Sequence, residues 1–428
     1  MPLPNLFYAQ SGGMTAVINA SAAGMLHAAR ENRDRIGRVY AAENGVLGAL
    51  QEELIDLSRE PASVIAALRQ TPGGAFGSSR FPLGTPQSHP HYYRRLIDVL
   101  RAHDIRWFLY NGGGGSAGTC VHVAAAAKAA GYPLSVIHIP KTVDNDIALT
   151  DFSPGFGSVA KYTAVSVREA ALDVASMATT STRVFVMEVM GRHAGWIAAA
   201  SALAQEDGRG APHLILFPEV VFSRETFLRR VQEAVKREGF CVVVVAEGLA
   251  VHNPDLDLPD SNDSGEHRHD RQNLHTGKAA PYIAALVHER LGLRCHFAVS
   301  DYLQRSARHI ASRVDVESAW RVGVAAVEMA LRGEHLVMPG LQRRSTARTT
   351  HWDIVAQPLS RVASRERAMP RAFISRDGFG ITPACRAYLL PLIQGEDYPV
   401  YAGGLPRHVC LKKTKAEKKL PAFDIGME

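Results

Sequence analysis

Cysteine is scarce in this chain and follows no pattern. The five cysteines, Cys120, Cys241, Cys295, Cys385 and Cys410, stand far apart with no CxxC spacing. That argues against a zinc site and a disulfide framework, and it fits a reducing cytoplasm. No apolar run approaches the roughly 20 residues that span a bilayer. The opening stretch MPLPNLFYAQ has no basic region followed by a long apolar one, so neither a membrane partner nor an export signal is expected. Charge of one sign is also in short supply. The 48 Lys and Arg against 42 Asp and Glu leave an excess of six, which suits anionic substrates and calls for no nucleic acid. The one dense basic run, 412–419, is interrupted only by Glu417 and reads as a solvated tail ahead of a binding patch.

The remaining composition, 46% hydrophobic and 21% charged over 428 residues, is that of a globular chain longer than the usual single domain. Short runs rich in β-branched and aromatic residues alternate with longer Ala-rich stretches. Strands are expected at 5–9, 38–42, 107–110, 134–139, 184–188, 213–217 and 241–246, and helices at 16–30, 62–69, 92–103, 117–130, 160–175, 224–237 and 276–291. This pattern predicts an α/β fold of two Rossmann-like lobes with largely parallel sheets and an active-site cleft between them. The polar segment 254–271 reads as a long surface loop. Several expected strands end in Gly-rich or Asp-rich loops, the place where open α/β sheets hold ligands.

The first strand runs into Gln10-Ser11-Gly12-Gly13 and then a helix, a unit whose free N–H groups suit a phosphate, although turn geometry alone also calls for such glycines. Asn111-Gly112-Gly113-Gly114-Gly115-Ser116 repeats the arrangement. Four successive glycines lose much backbone entropy on folding, so a close approach of something to the main chain is expected there. Pro140-Lys141-Thr142-Val143-Asp144-Asn145-Asp146 packs a cation, a hydroxyl and two carboxylates together at a strand end. Phosphoryl transfer needs a base, cations against the moving charge and oxygen ligands for magnesium, and this segment offers all three. In an extended segment Asp144 and Asp146 would share one side and Asn145 the other. Met190-Gly191-Arg192-His193-Ala194-Gly195-Trp196, Ala246-Glu247-Gly248 and Tyr302-Leu303-Gln304-Arg305 complete the set, with two guanidiniums suited to phosphate.

Taken in order, QSGG, TPGGAFGSSR, the Gly-rich loop, PKTVDND, EVMGRHAGW and YLQR resemble the phosphofructokinase family, and within it the pyrophosphate-dependent branch, from Tyr8 to about Arg313. The resemblance implies transfer from pyrophosphate to the 1-hydroxyl of fructose 6-phosphate, reversible and without nucleotide allostery, with Mg2+ as cofactor. It implies a donor lobe at 1–145, a sugar-phosphate lobe at 146–310 and a segment at 311–428 completing both. Asp144 resembles the general base. Lys141 resembles the residue that stabilises the leaving phosphate, and Asp146 stands close to the magnesium. Thr142, Val143, Met190, Gly191, Arg192, Glu247, Tyr302, Leu303, Gln304 and Arg305 resemble the substrate positions, and Gly12, Arg80 and Gly115 the donor positions. Arg183 is similar to an arginine that reaches into a neighbouring subunit's site, which implies a homodimer or homotetramer.

The chain departs from the family pattern in three places. Gly115 stands where the pyrophosphate branch usually has an Asp that crowds out a nucleotide, Gly114 where a metal-associated Asp or its amide is usual, and His296 where an Arg is usual, with Arg294 nearby as a substitute. An ATP-dependent phosphofructokinase and a catalytically silent sugar-phosphate-binding subunit therefore stand beside the pyrophosphate reading.

Overall fold

Eleven strands form two large sheets, beside a small pair of Tyr401–Ala402 and Leu405–Pro406, in the computed structural model, which describes residues 3–206, 208–249, 277–346, 349–363 and 365–426. In chain order they are β1 (Asn5–Gln10), β2 (Val39–Ala42), β3 (Leu54–Asp56), β4 (Ile105–Gly112), β5 (Ser135–Pro140), β6 (Val184–Val189), β7 (Leu214–Leu216), β8 (Cys241–Ala246), β9 (Cys295–Val299), β10 (Val337–Ser345) and β11 (Thr350–Pro358). The chain divides into unit 1, made of Met1–Gly157, Arg308–Arg367 and Gly395–Glu428, and unit 2, made of Ser158–Ala307 and Ala368–Gln394. The C-terminal third is thus shared between the units. The loop expected at 254–271 lies outside the described residues, as does residue 276 of an expected helix that is observed as Ala279–Leu291.

Unit 1 holds the larger sheet, in the order β11-β10-β5-β4-β1-β2-β3. Its neighbours are parallel except at the two edges, where β11 on β10 and β3 on β2 are antiparallel. The central strands β1 and β4 read as near-continuous apolar runs because helices cover both faces of the sheet. One covering pair consists of helices Ile18–Glu31 and Arg313–Leu331. They approach so closely that a β-carbon on Gly24 would lie 2.0 Å from the Trp320 carbonyl oxygen, and one on Gly323 2.0 Å from that of Ser21. Only glycine permits backbones to meet at that separation.

The smaller sheet of unit 2, β7-β8-β6-β9, is parallel throughout. Every residue of β8, the run CVVVVA, is buried. The helix Arg224–Glu238 starts where Ser223 accepts the Thr226 N–H at 3.3 Å and stops at Gly239, whose φ of 84° ends the turn. Among the described residues no helix is long and apolar enough to cross a membrane.

The basic run near the C-terminus is neither a solvated tail nor an open patch. Lys413 and Lys415 pair with Glu43, Lys415 and Lys418 with Glu53, and the Lys419 and Leu420 N–H groups donate to the buried Glu52 carboxylate at 2.6 and 3.1 Å. The acids at 43–53 give the lysines an intramolecular partner that a reading of the run by itself does not reveal. The segment thereby becomes a strap along unit 1.

Candidate active site

In unit 1 the ends of β1, β4 and β5 bring three of the expected loops together. Gly12 adopts φ 74°, a conformation that favours glycine, and its N–H donates to Ser79 O at 3.2 Å. Ser78 Oγ donates back to Gly12 O at 2.9 Å, so the segment ending at the exposed Arg80 lies against the Gly12 turn. Lys141, only 3% exposed, sends its ammonium under the same turn and donates to the carbonyls of Ser11 at 2.7 Å and Gly13 at 2.6 Å. The glycine-rich loop opens the 16-residue helix Gly114–Ala129, and no side chain caps its first turn. The N–H groups there and the positive end of the helix form an anion-binding terminus. β-Carbons on Gly114 and Gly115 would meet no atom within 4 Å, so both positions face open space.

The Thr142–Asp146 segment is bent. Asn145 takes φ 57°, and its fully buried Oδ1 accepts the Ser153 N–H at 3.0 Å, which locks the bend. Asx residues tolerate this conformation because their short side chain bonds locally. The alternation in exposure survives for another reason: Asn145 is anchored inward, while Asp144 and Asp146 remain half-buried. Asp144 N–H donates to Thr142 Oγ1 at 3.1 Å, holding the carboxylate at the start of the bend. Thr142 is tied in turn to Pro154 O, and the N–H of the next residue, Gly155, donates to the buried Asp315 at 2.9 Å. Burial raises the Asp146 carboxyl above its ordinary value, and the charge of Glu366 adds to the effect. Its Oδ1 is buried and has no hydrogen-bond partner. Val143 is buried.

Unit 2 assembles the other group of residues at the ends of β6 and β8. Gly191, at φ 123°, lets the chain turn sharply after Met190, and its carbonyl accepts the Gly248 N–H at 3.3 Å. Met190 N–H donates to Gln304 Oε1 at 3.2 Å, so the 190–195, 247–249 and 302–305 segments form one constellation. Arg192 Nε is buried without a hydrogen-bond partner. Glu247 is buried beside Gly248. Tyr302 and Leu303 are 61% and 66% exposed, and the Arg305 guanidinium stacks 3.8 Å over the Tyr302 ring. Arg183 does not join them. It precedes β6, whereas Met190 follows it, a separation of roughly 20 Å at about 3.3 Å per residue. Arg294 and His296 lie at the Arg183 end, where the Arg183 N–H donates to Arg294 O at 3.0 Å.

Other residues at these loops went unrecognised in the sequence. Glu188, one residue inside the end of β6, accepts the Gly277 and Ala280 N–H groups at 2.5 and 2.9 Å and so holds the start of helix Ala279–Leu291. Burial pushes its carboxyl up, against the pull of those N–H groups. Tyr8, Gln10, Asn19 and Asn111 form a buried polar group beneath the glycine loops. Their only signal in the sequence is polarity at positions otherwise apolar. Among the described residues no group of three or more His, Cys, Asp or Glu is placed to hold a metal by itself.

Comparison with known proteins agrees with this geometry. The family model described as phosphofructokinase matches residues 5–330. Pyrophosphate–fructose 6-phosphate 1-phosphotransferase of Halomonas elongata is 55% identical over 98% of this chain and 99% of its own length. The protein of the same name from Methylococcus capsulatus is 57% identical over 99% of each. The crystal structure of a pyrophosphate-dependent phosphofructokinase from Nitrosospira multiformis, 53% identical, superposes with a TM-score of 0.89 over 98% of this chain and 99% of that one. With its ordered glycine turns, its PKTVDND bend and its MGR loop on two α/β units, the chain belongs to the phosphofructokinase family.

Proposed function

We propose that this protein transfers a phosphoryl group from pyrophosphate to the 1-hydroxyl of fructose 6-phosphate, reversibly and with magnesium. The observation that carries the reading is the junction in unit 1 where one short segment supplies both a buried cation under the Gly12 turn and a carboxylate three residues further on. An anion-binding turn, a cation and a base are the parts that phosphoryl transfer requires. The names of the relatives at more than half identity support pyrophosphate as the donor.

In this mechanism Asp144 takes the proton of the 1-hydroxyl as that oxygen attacks the terminal phosphorus. The bond from phosphorus to the bridging oxygen breaks, and the Lys141 charge stabilises the phosphate that leaves. Thr142 keeps Asp144 in register. Gly12, Arg80 and the Gly115 N–H receive the donor. Met190, Gly191, Arg192, Glu247, Tyr302, Leu303, Gln304 and Arg305 orient the sugar phosphate, with the two guanidiniums gripping its anionic end. Asp146 fits magnesium, because its buried Oδ1 is an oxygen ligand with no other partner. Asp146 would hold the ion, which would supply positive charge against the donor oxygens. Arg183, remote from its own Met190, serves a second copy in a homodimer or homotetramer. Mixing inactive Arg183→Ala and Asp144→Ser subunits should then restore activity through hybrid sites, and no restoration would confine Arg183 to its own chain.

ATP is a second reading, favoured by the open space at Gly114 and Gly115. The test is formation of fructose 1,6-bisphosphate from fructose 6-phosphate and magnesium, with pyrophosphate and ATP supplied separately. Turnover with pyrophosphate alone is expected. Turnover with ATP alone overturns the donor assignment, and inactivity with both favours a silent sugar-phosphate-binding subunit.

A further inference from the structure

Asn19 lies in the first turn of helix Ile18–Glu31 and is completely buried. Its carboxamide uses four hydrogen-bonding capacities at once. Nδ2 donates to Thr71 O at 2.7 Å and to Gly73 O at 2.9 Å, while Oδ1 accepts the Ala75 N–H at 3.2 Å and Gln10 Nε2 at 3.3 Å. Three of the four bonds go to the main chain of one segment, 71–75. Gln10 Nε2 also reaches the Tyr8 hydroxyl at 3.3 Å, and Asn111 Nδ2 reaches the same hydroxyl at 2.9 Å. A continuous buried chain, Asn19–Gln10–Tyr8–Asn111, therefore links the segment leading to Arg80 with the strand ends that carry the Gly12 turn and the glycine-rich loop.

We propose that Asn19 is a positioning residue for the phosphoryl donor, setting the 71–80 segment against the Gly12 turn without touching the donor itself. The chemistry selects the residue type. An amide with two donors and an acceptor on a short stem meets all four partners, whereas a carboxylate has no donor and would face the Thr71 and Gly73 carbonyls with a like-signed oxygen. Those carbonyls would then lose their partner inside the protein. Asn19 shares the work with Phe76, which is fully buried against Tyr8 and whose carbonyl accepts the Asn44 N–H at 2.8 Å, and it holds the stretch before Phe76. Gly73 and Gly77 both take φ 74°, and a β-carbon on Gly73 would meet nothing within 4 Å. Further along, it is fastened to the turn by the Gly12–Ser79 and Ser78–Gly12 bonds. With Asn19 intact, Arg80 is delivered at a fixed place. Without it, the 71–75 stretch loses three main-chain bonds, while the contacts of Phe76, Ser78 and Ser79 remain.

This inference rests on the proposed donor chemistry, so its test has one arm that needs no turnover. The variants are Asn19→Asp, which removes both donors, and Asn19→Ser, a milder change kept in case the first does not fold. With full-length protein, the expected result is a KM for pyrophosphate raised about tenfold or more, with the KM for fructose 6-phosphate and kcat within about threefold of the original. In parallel, tryptic cleavage after Arg80, read by mass spectrometry, should be faster in the variants, and saturating pyrophosphate should slow it less than in the original protein. Equal KM values for the donor together with unchanged cleavage at Arg80 overturn the proposal, as does a fall in kcat alone. If the original protein uses ATP instead, the donor reading fails, and the Arg80 cleavage rate, measured without ligand and then with ATP, still decides the role of Asn19.

Discussion

Gly248 and Arg192 meet so closely that a β-carbon at Gly248 would stand 2.0 Å from the Arg192 carbonyl oxygen and 2.6 Å from its carbonyl carbon. The neighbour is main chain, so it cannot swing aside as a long side chain would. Gly248→Ala should therefore displace the Met190–Arg192 turn and lose the Gly248–Gly191 hydrogen bond. The expected outcome is a KM for fructose 6-phosphate raised by at least about tenfold, since a roughly 1 Å misplacement of positioning groups is costly, with the KM for the donor little changed. Steady-state kinetics with each substrate varied in turn checks it, and a donor effect as large as the sugar effect would contradict it.

Lys141 has two duties. Its ammonium bonds to Ser11 O and Gly13 O, which fixes the Gly12 turn, and it places a positive charge where the departing phosphate is proposed to sit. Lys141→Met keeps the length of the stem and removes the charge. Turnover with pyrophosphate should fall about 100- to 1000-fold, the usual result of removing one preorganised electrostatic group. Thermal unfolding should also shift downward, because the two carbonyls lose their donor. A variant with full turnover would remove the cation from the mechanism.

Most of the parallel strands were readable because they are buried and read as apolar runs, β8 being the clearest case. The strand β9 was not, since His296, Phe297 and Ala298 are exposed and the run carries no burial pattern. Antiparallel β10 and β11 end in polar residues at Ser345 and Thr350, which locally look like a loop. The return of residues 368–394 to unit 2 depends on packing far along the chain, such as Trp196 against Phe373 and Tyr388. Motif order pointed to Gly12, Lys141, Asp144 and Arg192 as candidates, but backbone conformation was hidden. Asn145 at φ 57° turns a segment that two-residue periodicity would have extended. Asn19 was missed because three of its four partners are main-chain atoms more than fifty positions away.

Asp144→Ser should separate folding from chemistry. The Asp144 N–H bond to Thr142 Oγ1 comes from the backbone and survives the change, so the bend should persist. Loss of a general base typically costs about a hundred- to ten-thousand-fold in rate. The expected variant has an unfolding midpoint close to the original, binds fructose 6-phosphate normally in equilibrium titration, and turns over at least about a hundredfold more slowly. Retained turnover would move the base elsewhere.

Gly115→Asp tests the donor loop without disturbing its packing. A β-carbon there would meet no atom within 4 Å, and an acid in the first turn of a helix is favourable by about 0.3–1 kcal/mol. The variant should be as stable as the original or slightly more so. Any turnover with ATP should disappear, because the carboxylate repels a nucleotide phosphate, while turnover with pyrophosphate persists. Loss of pyrophosphate turnover with ATP turnover intact would reverse the donor assignment.

His138 lies on β5 opposite Tyr110 of β4 and is completely buried. Burial, aided by the nearby Lys141 charge, pushes its imidazole down to about 4. The unfolded chain, with an ordinary histidine near 6.5, binds more protons than the folded one between those two values. Stability is therefore full above about pH 6.5 and is lost as the pH falls towards about 4. The loss comes to about 3 kcal/mol in all, because each tenfold difference in proton affinity between the folded and unfolded chain is worth roughly 1.4 kcal/mol. His138→Leu removes the titration while keeping a buried side chain of similar size. Denaturant unfolding of both proteins at several pH values should show the original losing stability faster than the variant between pH 6.5 and 4, with the curves running parallel above pH 7. Parallel curves over the whole range would mean that the imidazole accepts its proton inside the fold as readily as in water, which its burial beside a buried ammonium does not permit.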